Sequence, residues 1–286
     1  MRVLVTGSAG KIGKKQVQTL LEAGNEVVGF DRTASKSRDW EHHCGDLRDL
    51  FAVRRAMQGV DAVVHSGALP HDNAGLPEDV LSVNVQGTLN ILLASLEAGV
   101  ERVINFSSVN ALGAVGGHSK LAQFPIGDDY PRHPMTNYQL SKHLGEEACR
   151  SYSAKHGLIT ISLRPVYVIG ENENPHWMRA PTKEHSIGWF RNEFCAYVHV
   201  SDVCEAVMKS LNVQGVKNAS LLLNTDSTGS PTPTEELIQA THPEVAWASN
   251  RTDYFASNPF RSIIDSTGAK EILGWSPKIN VSDIPE

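Results

Sequence analysis

Tyr138 and Lys142 stand four residues apart in Tyr138-Gln-Leu-Ser-Lys142, at the start of a helical pattern that continues to about His156. That spacing places both side chains on one helix face. A tyrosine with a pKa near ~10 is a poor base at neutral pH, but an ammonium one turn away stabilises its phenolate. Lowering that pKa by ~3 units takes about 4 kcal/mol, which an ammonium and a second positive charge can supply in a low-dielectric cleft. Upstream, the apolar run Val103-Ile-Asn-Phe106 leads directly into Ser107-Ser108. A serine hydroxyl there could hold a substrate oxygen while Tyr138 removes its proton. A solitary Tyr-x-x-x-Lys is commonplace on surface helices, and the serine-bearing strand before it gives this pair its weight.

Taking a proton from a hydroxyl oxidises it only if a hydride acceptor is at hand, and the N-terminus reads as a seat for one. In Val3-Leu-Val-Thr-Gly-Ser-Ala-Gly-Lys-Ile-Gly13 a β-branched run enters a glycine-rich turn and then a helix. Gly7, Gly10 and Gly13 let the backbone turn tightly and approach a pyrophosphate, while the helix opened by Lys11 and Ile12 offers it unpaired N–H groups and a positive dipole end. Ile12, Val17, Leu20 and Leu21 keep helical spacing up to a stop at Gly24-Asn25. A second apolar run, Glu26-Val-Val-Gly-Phe-Asp31, ends on an acid about where the ribose hydroxyls of a dinucleotide are held. The Asp31 carboxylate would repel a 2′-phosphate and Arg32 could welcome one; we expect NAD rather than NADP.

The glycine spacing is Gly7-x-x-Gly10-x-x-Gly13 behind Thr6, a variant that resembles the extended short-chain dehydrogenase/reductase family. Further motifs narrow the resemblance to its NAD-dependent epimerase/dehydratase branch: the Tyr-Lys pair, Leu163-Arg-Pro165, Tyr197-Val-His-Val-Ser-Asp-Val203 and Ile272-Leu-Gly-Trp-Ser-Pro277. The resemblance implies an α/β fold, a Rossmann-type doubly wound parallel sheet with a small interleaved C-terminal lobe. Residues 1–165 would form the dinucleotide-binding domain and 166–286 most of the substrate lobe, with 197–225 returning to the main body. It also implies site residues. Asp46 and Leu47 would lie beside the adenine, although Asp46 could equally cap the next helix, expected to run through Val60. Gly67 and Ala68 would let the backbone pass close to the dinucleotide, and Asn84, in a helix expected from Asp79 to Ala98, would join the cofactor shell. The branch places its active serine five residues before a glycine, and Gly113 thereby selects Ser108 over Ser107. Val109 and Asn110 would face the substrate, and Lys142 would also reach the ribose. Dimers through the helices 79–98 and 135–156 are common in the family.

The chain departs from nucleotide-sugar enzymes of this branch in two ways. Tyr167 stands where they usually carry an asparagine, and only a short stretch separates Gly170 from Tyr197, so the usual grip on a nucleoside diphosphate looks reduced. That stretch holds His176, Trp177 and Arg179, a composition suited to a sugar platform and an anion clamp, as in the compact uronate dehydrogenases that this layout resembles. Arg179 would bind a substrate carboxylate.

Bulk properties bound the alternatives. The 286 residues carry a formal charge of -6, with no broad cationic surface for nucleic acid or an anionic membrane. Without a spanning apolar run or a signal layout, a cytoplasmic enzyme is expected, acting on a small carbohydrate. The four scattered cysteines argue for reduced thiols, and His42-His43-Cys44 alternate faces on a strand and cannot easily converge on one metal ion. The leading expectation is an NAD-dependent oxidoreductase acting on a sugar or sugar acid. A nucleotide-sugar epimerase with no net NADH, an NADPH-dependent carbonyl reductase and a non-catalytic dinucleotide sensor stand as alternatives, the last disfavoured by the presence of Ser108, Tyr138 and Lys142 together.

Overall fold

The computed structural model describes residues 1–35, 39–175, 178 and 182–284. In chain order the first half comprises β1 (Arg2–Thr6), α1 (Lys11–Glu22), β2 (Glu26–Asp31), β3 (Glu41–Cys44), α2 (Leu50–Ala56), β4 (Ala62–His65), α3 (Pro77–Leu81), α4 (Gly87–Ala98) and β5 (Arg102–Phe106). Beyond lie β6 (Gln123–Phe124), α5 (Asn137–His156), β7 (Ile159–Pro165), β8 (Tyr167–Ile169), α6 (Lys183–Glu193), β9 (Tyr197–His199), α7 (Val200–Asn212), β10 (Asn218–Leu223) and α8 (Thr234–Thr241). The chain closes with β11 (Ala246–Trp247), α9 (Arg251–Phe255) and α10 (Thr267–Leu273).

Seven strands form one parallel sheet in the order β10-β7-β5-β4-β1-β2-β3. Both faces are buried, which is why the strands read as unbroken apolar runs rather than alternating ones. Val3, Val5, Val64 and Ile104 face a core shared with α1 and α7, whereas Leu4, Val63 and Val103 face one shared with α2, α4 and α5. The chain winds outward from β1 in one direction and from β4 in the other. The crevice between the C-terminal ends of these two strands is the topological switch point, where such folds bind ligands.

Smaller parallel pairs, β8 with β9 and β6 with β11, build the C-terminal part, and β10 returns to the edge of the main sheet. The Leu-Gly-Trp element pins the chain end: Trp275 is fully buried and its indole N–H donates to the Asp202 carbonyl in α7 (2.8 Å). Among the described residues no helix is long and apolar enough to cross a membrane.

Two helices differ from expectation. The helix expected through Val60 stops at Ala56. The helix expected from Asp79 to Ala98 is interrupted by a π-helical turn at Ser82–Gln86, and its cause lies at the site.

Candidate active site

Thr6 ends β1, and Gly7 follows at φ +68° with its amide donating to the Phe30 carbonyl (2.8 Å). A methyl group there would lie 2.7 Å from the Gly67 Cα, so the turns after β1 and β4 touch backbone to backbone. A methyl on Gly13 would run into the Gly7 carbonyl oxygen, which fixes how closely α1 closes on the turn. Gly10 is the extended N-cap of α1 and supplies no capping side chain. The first N–H groups of the helix, at Lys11, Ile12 and Gly13, are therefore free of a side-chain cap and suited to an anion.

From this turn the crevice extends in two arms. One, of about 150 Å3, is lined by Gly7, Gly10, Asp31, Arg32, Asp46, Leu47, Gly67 and Ala68 among others. Asp31 is held at the end of β2 by accepting from the Ala9 amide (3.0 Å) and the Thr33 amide (2.8 Å), and Arg32 beside it is exposed. Asp46 is not the helix cap: Asp49 takes that place, accepting from the Phe51 and Ala52 amides. Asp46 instead pairs with Arg48 (2.7 Å), which holds its carboxyl below the usual range, with Arg32 pulling the same way.

The second arm, of about 540 Å3, shares Gly7, Gly10, Ser66 and Ala68 with the first and adds Ile12, His71, Ser108, Tyr138, Lys142 and Tyr167. Another concavity, of about 490 Å3 around Lys120, Arg191 and His242, shares no lining residue with either arm and pairs no serine with Tyr138. Ser108 is the extended N-cap of a short 3-10 turn, Val109–Leu112, and accepts from the Asn110 amide (3.2 Å) and the Asn110 side chain (3.3 Å). α5 is started by Thr136, which caps Gln139, and by Asp72, which accepts from the Tyr138 amide (2.8 Å). Lys142 is buried; its ammonium donates to the Phe106 carbonyl (2.7 Å) and lies 5.8 Å from the Tyr138 ring centre.

The electrostatics of this trio run against the sequence-based expectation. Burial pushes the Tyr138 phenol up to about 12, a hydrogen bond with Ser108 opposes the rise and the nearby Asp72 carboxylate adds to it. Lys142 is lowered to about 8 by burial, with Glu146 opposing. The expected fall of the phenol pKa is absent from the protein alone, because desolvation penalises the phenolate and the ammonium is directed at a carbonyl rather than at the phenol oxygen. Next to the trio, His65 is buried between the hydroxyls of Thr6 (2.7 Å) and Thr88 (3.1 Å) and is lowered to about 3 by burial, with Lys142 adding to the fall.

Other expected residues are placed differently. Asn84 does not line either arm. Its amide oxygen accepts from the Leu69 N–H (2.8 Å), and its nitrogen donates to the Leu69 carbonyl (3.0 Å) and Ser141 (3.0 Å). The π-helical turn swings this amide onto Leu69, bracing the Gly67-Ala68 wall from behind. Val109 does not face the cleft, because the 3-10 turn directs it into the core. The Lys11 ammonium reaches Val168 (3.1 Å) and Glu173 (2.8 Å), and Tyr167 is hydrogen-bonded to the same Glu173. Arg179 lies outside the described residues.

A family model described as the NAD dependent epimerase/dehydratase family matches residues 3–220, from β1 into β10. The chain belongs to the NAD-dependent epimerase/dehydratase family. It is an enzyme, and its cofactor is NAD. Over 313 residues it is 28% identical to the UDP-glucose 4-epimerase of Mycolicibacterium smegmatis, covering 99% of this chain and 96% of that one. A uronate dehydrogenase of Pseudomonas syringae pv. tomato is 32% identical over 181 residues, 62% of this chain and 63% of that one. The solved structure of the Thermus thermophilus UDP-glucose 4-epimerase complex with NAD matches with a TM-score of 0.68 at 25% identity, covering 99% of each chain.

In this epimerase/dehydratase chain some contributors escaped the sequence. His71 and Asp72 sit in the aperiodic loop after β4, where no spacing rule points to them. Glu146 and Arg164 form a fully buried bidentate pair (2.7 and 2.6 Å) behind the trio. Arg164 belongs to the Leu-Arg-Pro motif, and a charged residue inside an apolar strand was the available signal.

Proposed function

We propose that this enzyme oxidises a hydroxyl of a sugar or sugar acid, with Ser108, Tyr138 and Lys142 as its catalytic residues. The observation that carries the reading is that Ser108, Tyr138 and Lys142 line one cleft that is continuous, through Gly7, Gly10, Ser66 and Ala68, with the Asp31 arm. Residues 1–165 act as the cofactor half and 166–286 mostly as the substrate lobe, with 197–225 returning to the main body.

The glycine turn and the start of α1 suit the pyrophosphate, Asp31 suits the ribose hydroxyls, and Asp46, Leu47, Gly67 and Ala68 suit the adenosine half. When bound, NAD supplies a hydride acceptor and a positively charged ring. Ser108, beside Tyr138 in the cleft, orients the substrate oxygen. Tyr138 takes the hydroxyl proton, and the Lys142 ammonium, joined by a positively charged ring once NAD is bound, offsets the burial that raises the phenol in the protein alone.

For the substrate side, Tyr167 fills the wall position where nucleotide-sugar enzymes of this branch usually have asparagine, which favours a free sugar acid. Arg179, in the segment that follows, serves as the carboxylate clamp. The end-to-end likeness to UDP-glucose 4-epimerases supports a second reading, epimerisation of a nucleotide sugar with the hydride returned. NADH absorbance on mixing protein and NAD with free sugars, uronic acids and nucleotide sugars separates them. Net NADH with a uronic acid, lost in Tyr138→Phe and weakened in affinity by Arg179→Ala, is the expected result. A nucleotide sugar converted to its epimer without net NADH would replace the first reading with the second.

A further inference from the structure

α5 grips the end of β5 at two consecutive residues. Lys142 donates to the Phe106 carbonyl (2.7 Å), and one helical turn further on Glu146 accepts from the Ser107 hydroxyl (2.5 Å). Glu146 is itself immobilised: Arg164 in β7 holds both of its oxygens, and the other terminal nitrogen of that guanidinium donates to the Asp128 carbonyl (2.7 Å). Neither Glu146 nor Arg164 faces the cleft, and their side chains are 1% and 0% exposed. A buried ion pair of this kind gains little net stability over well-packed apolar residues, so its presence beneath a reactive trio calls for another account.

We infer that Glu146 is a positioning residue for the Ser108–Tyr138–Lys142 trio, clamping Ser107 so that Ser108 stays in register with Tyr138 and providing the countercharge for the Lys142 ammonium. The inference rests on the reading of that trio as the catalytic machinery. Its two parts use the same carboxylate. Mechanically, Glu146 and Lys142 pin adjacent residues of one strand end to one helix, leaving Ser108 fixed just beyond the second pin. Electrically, Lys142 has been taken out of water, and Glu146 is the group that resists the resulting loss of its proton. The other titratable or charged groups around Lys142 are Tyr138 on the same helix and His65 from β4, both neutral at pH 7. Arg164 from β7 is paired with Glu146, and Arg132 approaches the same carboxylate at 3.9 Å.

The electrical half is read as ionisation, which needs no substrate, and the mechanical half as kcat. Protein carrying 13C at the lysine ε position is titrated by NMR, with Lys142→Arg identifying the Lys142 signal. In the parent its midpoint is expected near pH 8. Glu146→Gln keeps the reach of the side chain and removes the charge, and should lower that midpoint by about one pH unit. Glu146→Asp keeps the charge but withdraws it from Ser107, and Ser107→Ala removes the clamp alone; both should leave the midpoint within a few tenths of a unit while lowering kcat. If Glu146→Gln does not fold, Glu146→Asp and Ser107→Ala still decide the mechanical half. An unmoved midpoint in Glu146→Gln, or an unchanged kcat in both other variants, overturns the corresponding half of the inference. Failure of the underlying reading looks different, because Tyr138→Phe would then retain full activity whatever Lys142 does.

Discussion

At the Asp31 end of the crevice the surfaces are made by backbone and by partly exposed carboxylates; at the Tyr138 end they are made by side chains whose ionisation burial has displaced. The first end depends on what cannot be present. A methyl on Gly7 or Gly13 has nowhere to go, and Asp31 needs only two amide donors to be held in place. The second depends on what surrounds each group. Tyr138 is pushed to about 12 and Lys142 down to about 8 by the same desolvation, and neighbours such as Ser108, Asp72 and Glu146 modulate both. Steric recognition is local to a motif, whereas reactivity belongs to an assembled environment.

The contrast is sharpest in two substitutions with opposite signatures. Tyr138→Phe should lower NADH formation by roughly 10²–10⁴-fold while changing the NAD dissociation constant only a few-fold, measured by steady-state kinetics and by fluorescence titration. Gly13→Ala should raise the NAD dissociation constant by about tenfold or more, because α1 must move off the turn, with a smaller loss in kcat at saturating NAD. Equal losses of binding in the two variants would erase the distinction between the ends.

A smaller effect concerns stability. Lys142 is held at about 8, below the ~10.4 of an unfolded lysine, so the folded chain releases this proton first. Its contribution to stability therefore grows as pH rises from about 8 towards ~10.4. The difference in urea midpoint between the parent and Lys142→Met should grow in the parent's favour from about pH 7.5 to about pH 9.5, because the buried cysteines act equally on both chains. The smallest expected effect separates two neighbouring acids. Asp49→Ala should cost about 1 kcal/mol of stability through the lost helix cap and leave NAD affinity unchanged, while Asp46→Ala should do the reverse.

The same contrast accounts for what the sequence disclosed. The glycine turn, the parallel sheet and the placing of Tyr138 and Lys142 on one helix follow from spacing, and spacing is preserved on folding. The contact of Asn84 with Leu69 is not legible in the sequence, because only the π-helical turn directs its amide there. The inward direction of Val109 is hidden in the sequence as well, because the family pattern carries no sign of the 3-10 turn that sends it into the core. The expected pKa of Tyr138 rests on Lys142 and a second positive charge, while the burial that dominates it arises only once the chain has folded. The family pattern separates Ser108 from Ser107, and the structure supplies a physical difference between them: both line the cleft, but the Ser107 hydroxyl is already committed to Glu146.

The π-helical turn at Ser82–Gln86 also bears on how this chain tolerates changes in length. A π turn is an α-helix carrying one surplus residue, absorbed on the spot. Deleting a single residue there would let α3 and α4 join as one regular helix, with their flanking faces undisturbed and their packing largely kept. Asn84 would be rotated away from Leu69, and the wall at Gly67-Ala68 would lose its brace. At this point the site is encoded by the count of residues as much as by their identity, so a variant could keep every side chain that touches the crevice and still lose its shape through a one-codon deletion.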